Sequence, residues 1–154
     1  MPAVEKVLTL LALGAVFGFA YYSLNSTPVI SDSNFTYIAE LEWYKTYEEG
    51  LREAKQQNRT LMVYFWTIWC IYCEKYHTEV FSRPDINAIL AERFVRVAVD
   101  MDVNKRDTRR FGVQAPPYIV FLTPDERVIM RVPGYVPADE FRRILDAVVE
   151  EGGA

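Results

Sequence analysis

The sequence predicts an α/β domain with a central mixed sheet flanked by helices, preceded by a separate apolar segment. Short apolar runs that fit buried strands alternate with segments whose apolar residues recur at helical spacing. Turn residues join the last two predicted strands as a hairpin, and a helix follows. Strands that alternate with helices and end in a hairpin are typical of a mixed sheet with helices on both faces.

From residue 35 onward, the predicted order of elements is α-β-α-β-α-β-β-α. The run Leu61–Trp66 is continuously apolar, as in a strand that is buried on both faces. The other strands are predicted at 94–99, 118–122 and 128–132. The helices are predicted at 44–57, from about 70 toward 81 with a second piece around 86–90, at 105–111 and at 137–150.

Composition indicates a globular protein and excludes several functional classes. Of the 154 residues, 51% are hydrophobic and 25% are charged, which allows one domain with a short appendage. Seventeen Lys and Arg against 21 Asp and Glu give a net charge of −4, which argues against nucleic-acid binding. Two cysteines and one histidine exclude a multi-disulfide scaffold and a closed four-ligand Cys/His zinc site within one chain.

The amino-terminal segment differs from the rest of the chain. Residues 7–24 carry no charge, and as a helix they would span roughly 27 Å, close to the hydrocarbon thickness of a bilayer. Residues 1–25 are therefore expected to be an uncleaved signal anchor or a signal peptide cleaved after Gly18 and Ala20. The length of the run favours the anchor, which would place the domain on the extracytoplasmic side of the membrane; cleavage would make it a secreted protein.

A polar, turn-rich tether is expected at residues 26–34, and the folded domain at 35–154. Asn25, Asn34 and Asn58 each begin a triplet that fits the N-glycosylation pattern. Such short patterns often arise by coincidence, so the sequence leaves their modification open.

The two cysteines follow the first predicted strand directly and come just where a helix should begin, a context typical of a redox motif. Cys70 would start the helix and Cys73 would lie one turn later on the same face, so their sulfurs can be joined with little backbone movement. The helix amino terminus favours a thiolate at Cys70, and the thiolate is the attacking species in disulfide exchange. We therefore expect Cys70 to attack and Cys73 to resolve the mixed disulfide.

The chain resembles the thioredoxin-fold superfamily, and within it the carboxy-terminal domain of the Dsb-type transmembrane thiol reductase. Three stretches carry the resemblance: 42–58, 64–73 with Trp69-Cys70-Ile71-Tyr72-Cys73, and 111–118, which is similar to the family's cis-proline loop. It covers about residues 40–150. The resemblance implies a thioredoxin fold and a thiol–disulfide oxidoreductase whose redox group is a Cys70–Cys73 disulfide, with no other cofactor.

The resemblance also implies a substrate groove for disulfides or dithiols of proteins and peptides. Pro117 would be the cis-proline that faces the cysteines, and Trp69 would flank Cys70. Further groove residues would be Tyr72, Pro116 and Tyr118. Because disulfides persist outside the cytosol, a reductase there must be recharged, which implies an electron-donor protein in the membrane.

Two features depart from the family pattern. Many thioredoxins have a buried aspartate six residues before the first cysteine, as proton acceptor for the resolving thiol, whereas this chain has Tyr64. The proton of Cys73 therefore needs another route; Glu74 could accept it, although a solvated helix residue is the simpler interpretation. The segment between Cys73 and Phe94 is too short for the helical insertion of DsbA-type oxidases, which favours a reductase.

His77 offers an alternative function. It lies four residues after Cys73, so Cys70, Cys73 and His77 together present three soft ligands. The alternative is therefore an exported copper- or zinc-handling module, against the simpler interpretation of His77 as a surface helix residue.

Overall fold

The computed structural model describes residues 34–152, and six strands of this region form one sheet in the order β1-β2-β4-β3-β5-β6. The strands are β1 (Phe35–Ile38), β2 (Leu41–Tyr44), β3 (Thr60–Trp66), β4 (Phe94–Asp100), β5 (Tyr118–Leu122) and β6 (Val128–Pro133). The helices are α1 (Tyr47–Gln57), α2 (Ile71–Lys75), which continues as a π-helix over Tyr76–Phe81, α3 (Pro84–Arg93), α4 (Lys105–Phe111) and α5 (Ala138–Gly152).

The sheet is mixed, as predicted. The central strand β3 pairs in parallel with β4, so that Trp66 lies beside Asp100, and antiparallel with β5, so that Phe65 lies beside Tyr118. The carboxyl ends of β3 and β4 therefore meet the amino end of β5 at one edge of the sheet. The chain leaves β3 at this edge and enters the turn that leads to the cysteines.

Helices cover both faces of the sheet because β3 is apolar on both sides. Met62 and Tyr64 point into a buried cluster with residues of α2, α3 and α5, whereas Val63 and Phe65 point into a second cluster with residues of α1. Burying one large apolar side chain stabilises a fold by about 1.5–3 kcal/mol. The α/β class with helices on both faces of the sheet is thus confirmed.

The sequence misses the first two strands and begins the first helix too early. β1 and β2 form a hairpin whose turn residues Ala39 and Glu40 have φ values of 51° and 63°. Such turns usually contain Asn or Gly, so these two residues gave no turn signal. Tyr44 therefore ends β2 instead of starting a helix, and α1 begins at Tyr47 after the cap Thr46, whose hydroxyl accepts a hydrogen bond from the N–H of Glu49.

The predicted anchor or signal at 1–25 and nearly all of the predicted tether lie outside the described residues. Between residues 34 and 152, no helix has the length and apolar character needed to cross a membrane.

Candidate active site

Cys70 and Cys73 are joined by a disulfide, with their Cα atoms 5.2 Å apart. Cys70 caps α2: its backbone is extended, and its sulfur accepts a hydrogen bond from the N–H of Cys73 at 3.1 Å. The carbonyl oxygen of Cys70 accepts a further bond from the N–H of Glu74 at 3.1 Å. The first sulfur therefore lies at the amino terminus of the helix, where backbone N–H groups and the helix dipole stabilise a thiolate once the disulfide is reduced.

The two cysteines differ in their access to solvent. Cys70 is 8% exposed, whereas Cys73 is 1% exposed and packs in the cluster that contains Tyr64 and Tyr76. Cys70 is therefore the more accessible of the two sulfur-bearing residues in the disulfide form. The attacking role of Cys70 and the resolving role of Cys73 stay predictions.

The proline loop adjoins the cysteine turn. The Pro116–Pro117 peptide bond is cis, Pro117 is buried, and Pro116 is partly exposed. Tyr118 follows as the first residue of β5 and pairs with Phe65 near the end of β3, which brings the loop to the edge where the cysteine turn begins. The carbonyl oxygen of Pro117 accepts a hydrogen bond from the N–H of Gly134 at 2.9 Å, which holds the loop against the end of β6.

The cysteine pair lies among exposed apolar side chains, which we call the apolar collar: Ile68, Trp69, Ile71 and Tyr72. Trp69 is 65% exposed and Tyr72 is 58% exposed. The indole N–H of Trp69 donates to Oδ2 of Asp102 at 2.7 Å, which fixes the ring against the loop after β4. Exposed clusters of large apolar residues mark interaction sites. Ile68 and Ile71 were not among the predicted groove residues, although their apolar side chains lie next to the cysteines in the sequence.

Tyr118 has a different orientation from the other predicted groove residues. Its side chain packs with the cluster that contains Phe65 and Val63, on the face of the sheet opposite the cluster of Cys70 and Cys73. A contact between Tyr118 and substrate stays a prediction.

The residue that replaces the family's buried aspartate contacts the only histidine of the sequence. Tyr64 is fully buried, and its Oη lies 3.2 Å from Nε2 of His77. Burial lowers the pKa of His77 below its ordinary value of 6.5 and raises the pKa of Tyr64. The ring of His77 is half-buried between those of Trp66 and Phe81, so it packs against the fold while still reaching the surface.

The two cysteines of the alternative metal site are joined to each other in the structure. No group of three or more His, Cys, Asp or Glu residues within 34–152 is placed to hold a metal ion. Cys70 and Cys73 are bonded to each other, and Nε2 of His77 faces Tyr64. In this oxidised state the two sulfurs are not free to bind a metal ion, and metal handling by the reduced form stays a prediction.

A family model described as a thioredoxin-like domain matches residues 47–149. Among solved structures, the chain is similar to a thioredoxin from Thermus thermophilus, with 36% identity, a TM-score of 0.66, and coverage of 73% of this chain and 89% of that one. The carboxy-terminal domain of DsbD from Neisseria meningitidis, in its oxidised form, shares the fold: identity is 20%, the TM-score is 0.56, and coverage is 64% of this chain and 89% of that one.

Curated relatives include thiol:disulfide interchange proteins and anterior gradient proteins. The chain is 29% identical over 110 residues to the thiol:disulfide interchange protein DsbD 2 of Pseudomonas aeruginosa. The aligned region covers 68% of this chain but only 19% of that protein. It is also 29% identical over 124 residues to anterior gradient protein 3 of Xenopus tropicalis, and this aligned region covers 80% of this chain and 73% of that protein. Together with the disulfide, the match over residues 47–149 shows that the chain belongs to the thioredoxin-like family of thiol–disulfide oxidoreductases.

Proposed function

We propose that the protein reduces disulfides of proteins or peptides on the extracytoplasmic side of a membrane. The observation that carries this proposal is the position of Cys70, at a helix start inside the apolar collar, with the resolving thiol buried one turn behind it. The collar suits a flexible or partly unfolded polypeptide whose apolar side chains accompany its disulfide.

The chemistry follows from the two positions. The Cys70 thiolate attacks one sulfur of a substrate disulfide, forms a mixed disulfide and releases the other substrate sulfur as a thiolate. The Cys73 thiol then loses its proton and attacks Sγ of Cys70, which closes the Cys70–Cys73 disulfide and releases the second substrate thiolate. Two electrons pass from the dithiol to the substrate, and the released thiolates take up two protons.

The proline loop and the collar bind the substrate on two sides of Cys70. An extended segment can lie along the backbone next to Pro116, in the manner of strand addition to a sheet. Trp69, fixed by Asp102, and Tyr72, whose ring centre lies 5.9 Å from that of Tyr135, provide apolar contacts on the other side.

Export and an electron donor belong to the same proposal. Residues 7–24 anchor the chain, and a membrane protein with its own dithiol re-reduces Cys70 and Cys73. Similarity to a DsbD protein supports an extracytoplasmic location. Sequencing the amino terminus of the mature protein tests the anchor: a start near Tyr21 would mean a cleaved signal, and membrane association that survives deletion of residues 1–25 would contradict anchoring.

The direction of electron flow is tested by equilibration with glutathione or dithiothreitol buffers. A reduction potential near that of thioredoxin, about −270 mV, supports a reductase, whereas one near that of DsbA, about −120 mV, identifies an oxidant. In the same preparation, wild type should reduce a peptide disulfide with dithiothreitol as donor, and Cys70→Ser should lose this activity. Cys73→Ser should accumulate the mixed disulfide. Full activity in Cys70→Ser would overturn the proposal.

A further inference from the structure

The resolving thiol of Cys73 needs a base, and its burial restricts its contact with water. Cys73 is 1% exposed, yet its proton must leave before its sulfur can attack Cys70. The position from which a carboxylate serves in many thioredoxins holds Tyr64, a neutral phenol whose pKa is raised by burial. A base for Cys73 must therefore come from elsewhere in the fold.

His77 is the candidate base, because it lies about one helical turn after Cys73. It follows Cys73 by four residues, about one turn, on the same continuous helix, just inside the π-helical segment Tyr76–Phe81. Helical side chains lean toward the amino terminus, so we expect the ring of His77 to lie over the turn that contains Cys73. Its centre lies 5.7 Å from the ring of Tyr64 and 5.7 Å from that of Trp66, so packing restricts its orientation.

The bond to Tyr64 gives the two ring nitrogens different roles. Nε2 lies 3.2 Å from the phenol oxygen. When Nε2–H donates to that oxygen, Nδ1 carries the free lone pair, and Nδ1 is the ring nitrogen nearer to the helix backbone. Tyr64 is thus a positioning residue: it holds the ring in place, and in the tautomer with Nε2–H the free lone pair of Nδ1 can accept a proton from the preceding turn.

Burial, and not a neighbouring charge, lowers the pKa of His77. On the same helix, Glu74 is exposed, whereas Lys75 and Glu79 contact Tyr135 instead.

On the neighbouring strand β4, Asp100 lies beside Trp66, and its carboxylate accepts a bond from the N–H of Asp102. Strand β3 also packs against the His77 ring, and its titratable group there is the hydroxyl of Tyr64. An imidazole in these surroundings is unprotonated at neutral pH and available as a base.

We propose that His77, held by Tyr64, accepts the proton of Cys73 in the step that resolves the mixed disulfide. The proton passes from Sγ of Cys73 to Nδ1 of His77 while the Cys73 sulfur bonds to Sγ of Cys70. The bond between Cys70 and the substrate sulfur breaks, and that sulfur leaves with the electron pair. The imidazolium then returns its proton to the leaving thiolate or to solvent. This role rests on the proposed thiol–disulfide exchange, for which it supplies the missing base.

The experiment separates the two exchange steps. Reduced full-length protein is mixed in a stopped-flow instrument with an equimolar nitroaryl disulfide, each half of which absorbs once it is released as a thiolate. The first release reports attack by Cys70, and the second reports resolution by Cys73. Wild type, His77→Gln, His77→Glu and Tyr64→Phe are compared across pH, with Tyr47→Phe as a control that removes a buried hydroxyl on the opposite face of the sheet.

We expect His77→Gln to slow the second release about 100-fold at neutral pH, since a general base contributes about 10²–10⁴-fold, and to leave the first release unchanged. His77→Glu should restore much of the rate, because it returns a base to the same position. Tyr64→Phe should shift the pH profile of the second release, and Tyr47→Phe should leave it unchanged.

An unchanged second release in His77→Gln, with the same pH profile as wild type, would overturn the role of His77. Circular dichroism of each variant identifies loss of fold, and recovery in His77→Glu identifies a base rather than a packing effect. The proposed reductase function fails separately, if wild type itself releases no second thiolate and does not reduce a peptide disulfide.

Discussion

The hydroxyl of Tyr76 donates a hydrogen bond to the carbonyl oxygen of Gly134 at 3.2 Å and accepts one from the N–H of Val136 at 3.2 Å. The N–H of Gly134 in turn donates to the carbonyl oxygen of Pro117 at 2.9 Å. Through these bonds, the helix that carries the cysteines is joined to the proline loop. One buried phenol thus links the two halves of the candidate site.

Tyr76→Phe should reduce both stability and activity. The substitution keeps the ring but removes the hydrogen bonds to the carbonyl of Gly134 and from the N–H of Val136, which costs about 0.5–1.5 kcal/mol of unfolding free energy because water can reach these partly exposed groups. We expect kcat/KM for a peptide disulfide to fall as well, because the loop loses its link to the helix. Urea denaturation and steady-state kinetics measure the two effects.

Tyr135→Phe is the matched control for this substitution. The hydroxyl of Tyr135 bonds to Glu79 in an exposed position at 3.1 Å, so its removal should change stability by less than about 0.5 kcal/mol. An equal loss of stability in both variants would contradict the linking role of Tyr76.

The two thiols should differ in reactivity. Because Cys70 is more exposed and lies at the helix start, it should be alkylated faster than Cys73 and with a lower apparent pKa. Alkylation of the reduced protein at controlled pH, followed by peptide mass mapping, measures both rates. Faster modification of Cys73 would reverse the assigned roles.

Pro116→Thr should raise kcat/KM for a peptide disulfide. Proline lacks a backbone N–H, so an extended substrate beside residue 116 makes one main-chain hydrogen bond fewer than a non-proline residue would allow. A restored bond is worth about 0.5–1.5 kcal/mol, or a few-fold to about tenfold in affinity. An unchanged or lower value in a correctly folded variant would show that this bond does not limit substrate binding.

The stability of the protein should fall as the pH is lowered below about 6.5. Burial lowers the pKa of His77 in the folded state, so below its unfolded value of 6.5 the unfolded chain binds a proton that the folded chain resists. The contribution is fully present above that pH and is lost as the pH falls toward the folded pKa. His77 is the only histidine in the sequence, so His77→Gln should flatten this part of the curve. Denaturant unfolding of both proteins between about pH 5 and 7 provides the measurement, and parallel curves would contradict it.

Local signals explain how much of the fold could be predicted. The apolar run of β3, the helix after Cys70 and the hairpin of β5 and β6 are visible in short stretches, because burial and turn chemistry act on neighbouring residues. The β1–β2 hairpin was missed because its turn gives no such local signal. Its turn at Ala39 and Glu40 has positive φ values without a residue that favours them, and pairing between the strands stabilises it instead.

The sequence by itself determined where the reactive dithiol lies, at the junction of a buried strand and a helix, and which proline precedes β5. Both follow from residues close together in the chain. Tertiary structure alone decided what surrounds the dithiol. Tyr64 and His77 meet across a sheet and a helix, and the π-helical segment Tyr76–Phe81 sets which side chains of that helix face β3. Ile68 and Ile71 are surface residues, while Cys70 and Cys73 of the same short segment pack into a buried cluster. Such contacts depend on how separate elements pack, so the pattern of residues within one segment does not predict them.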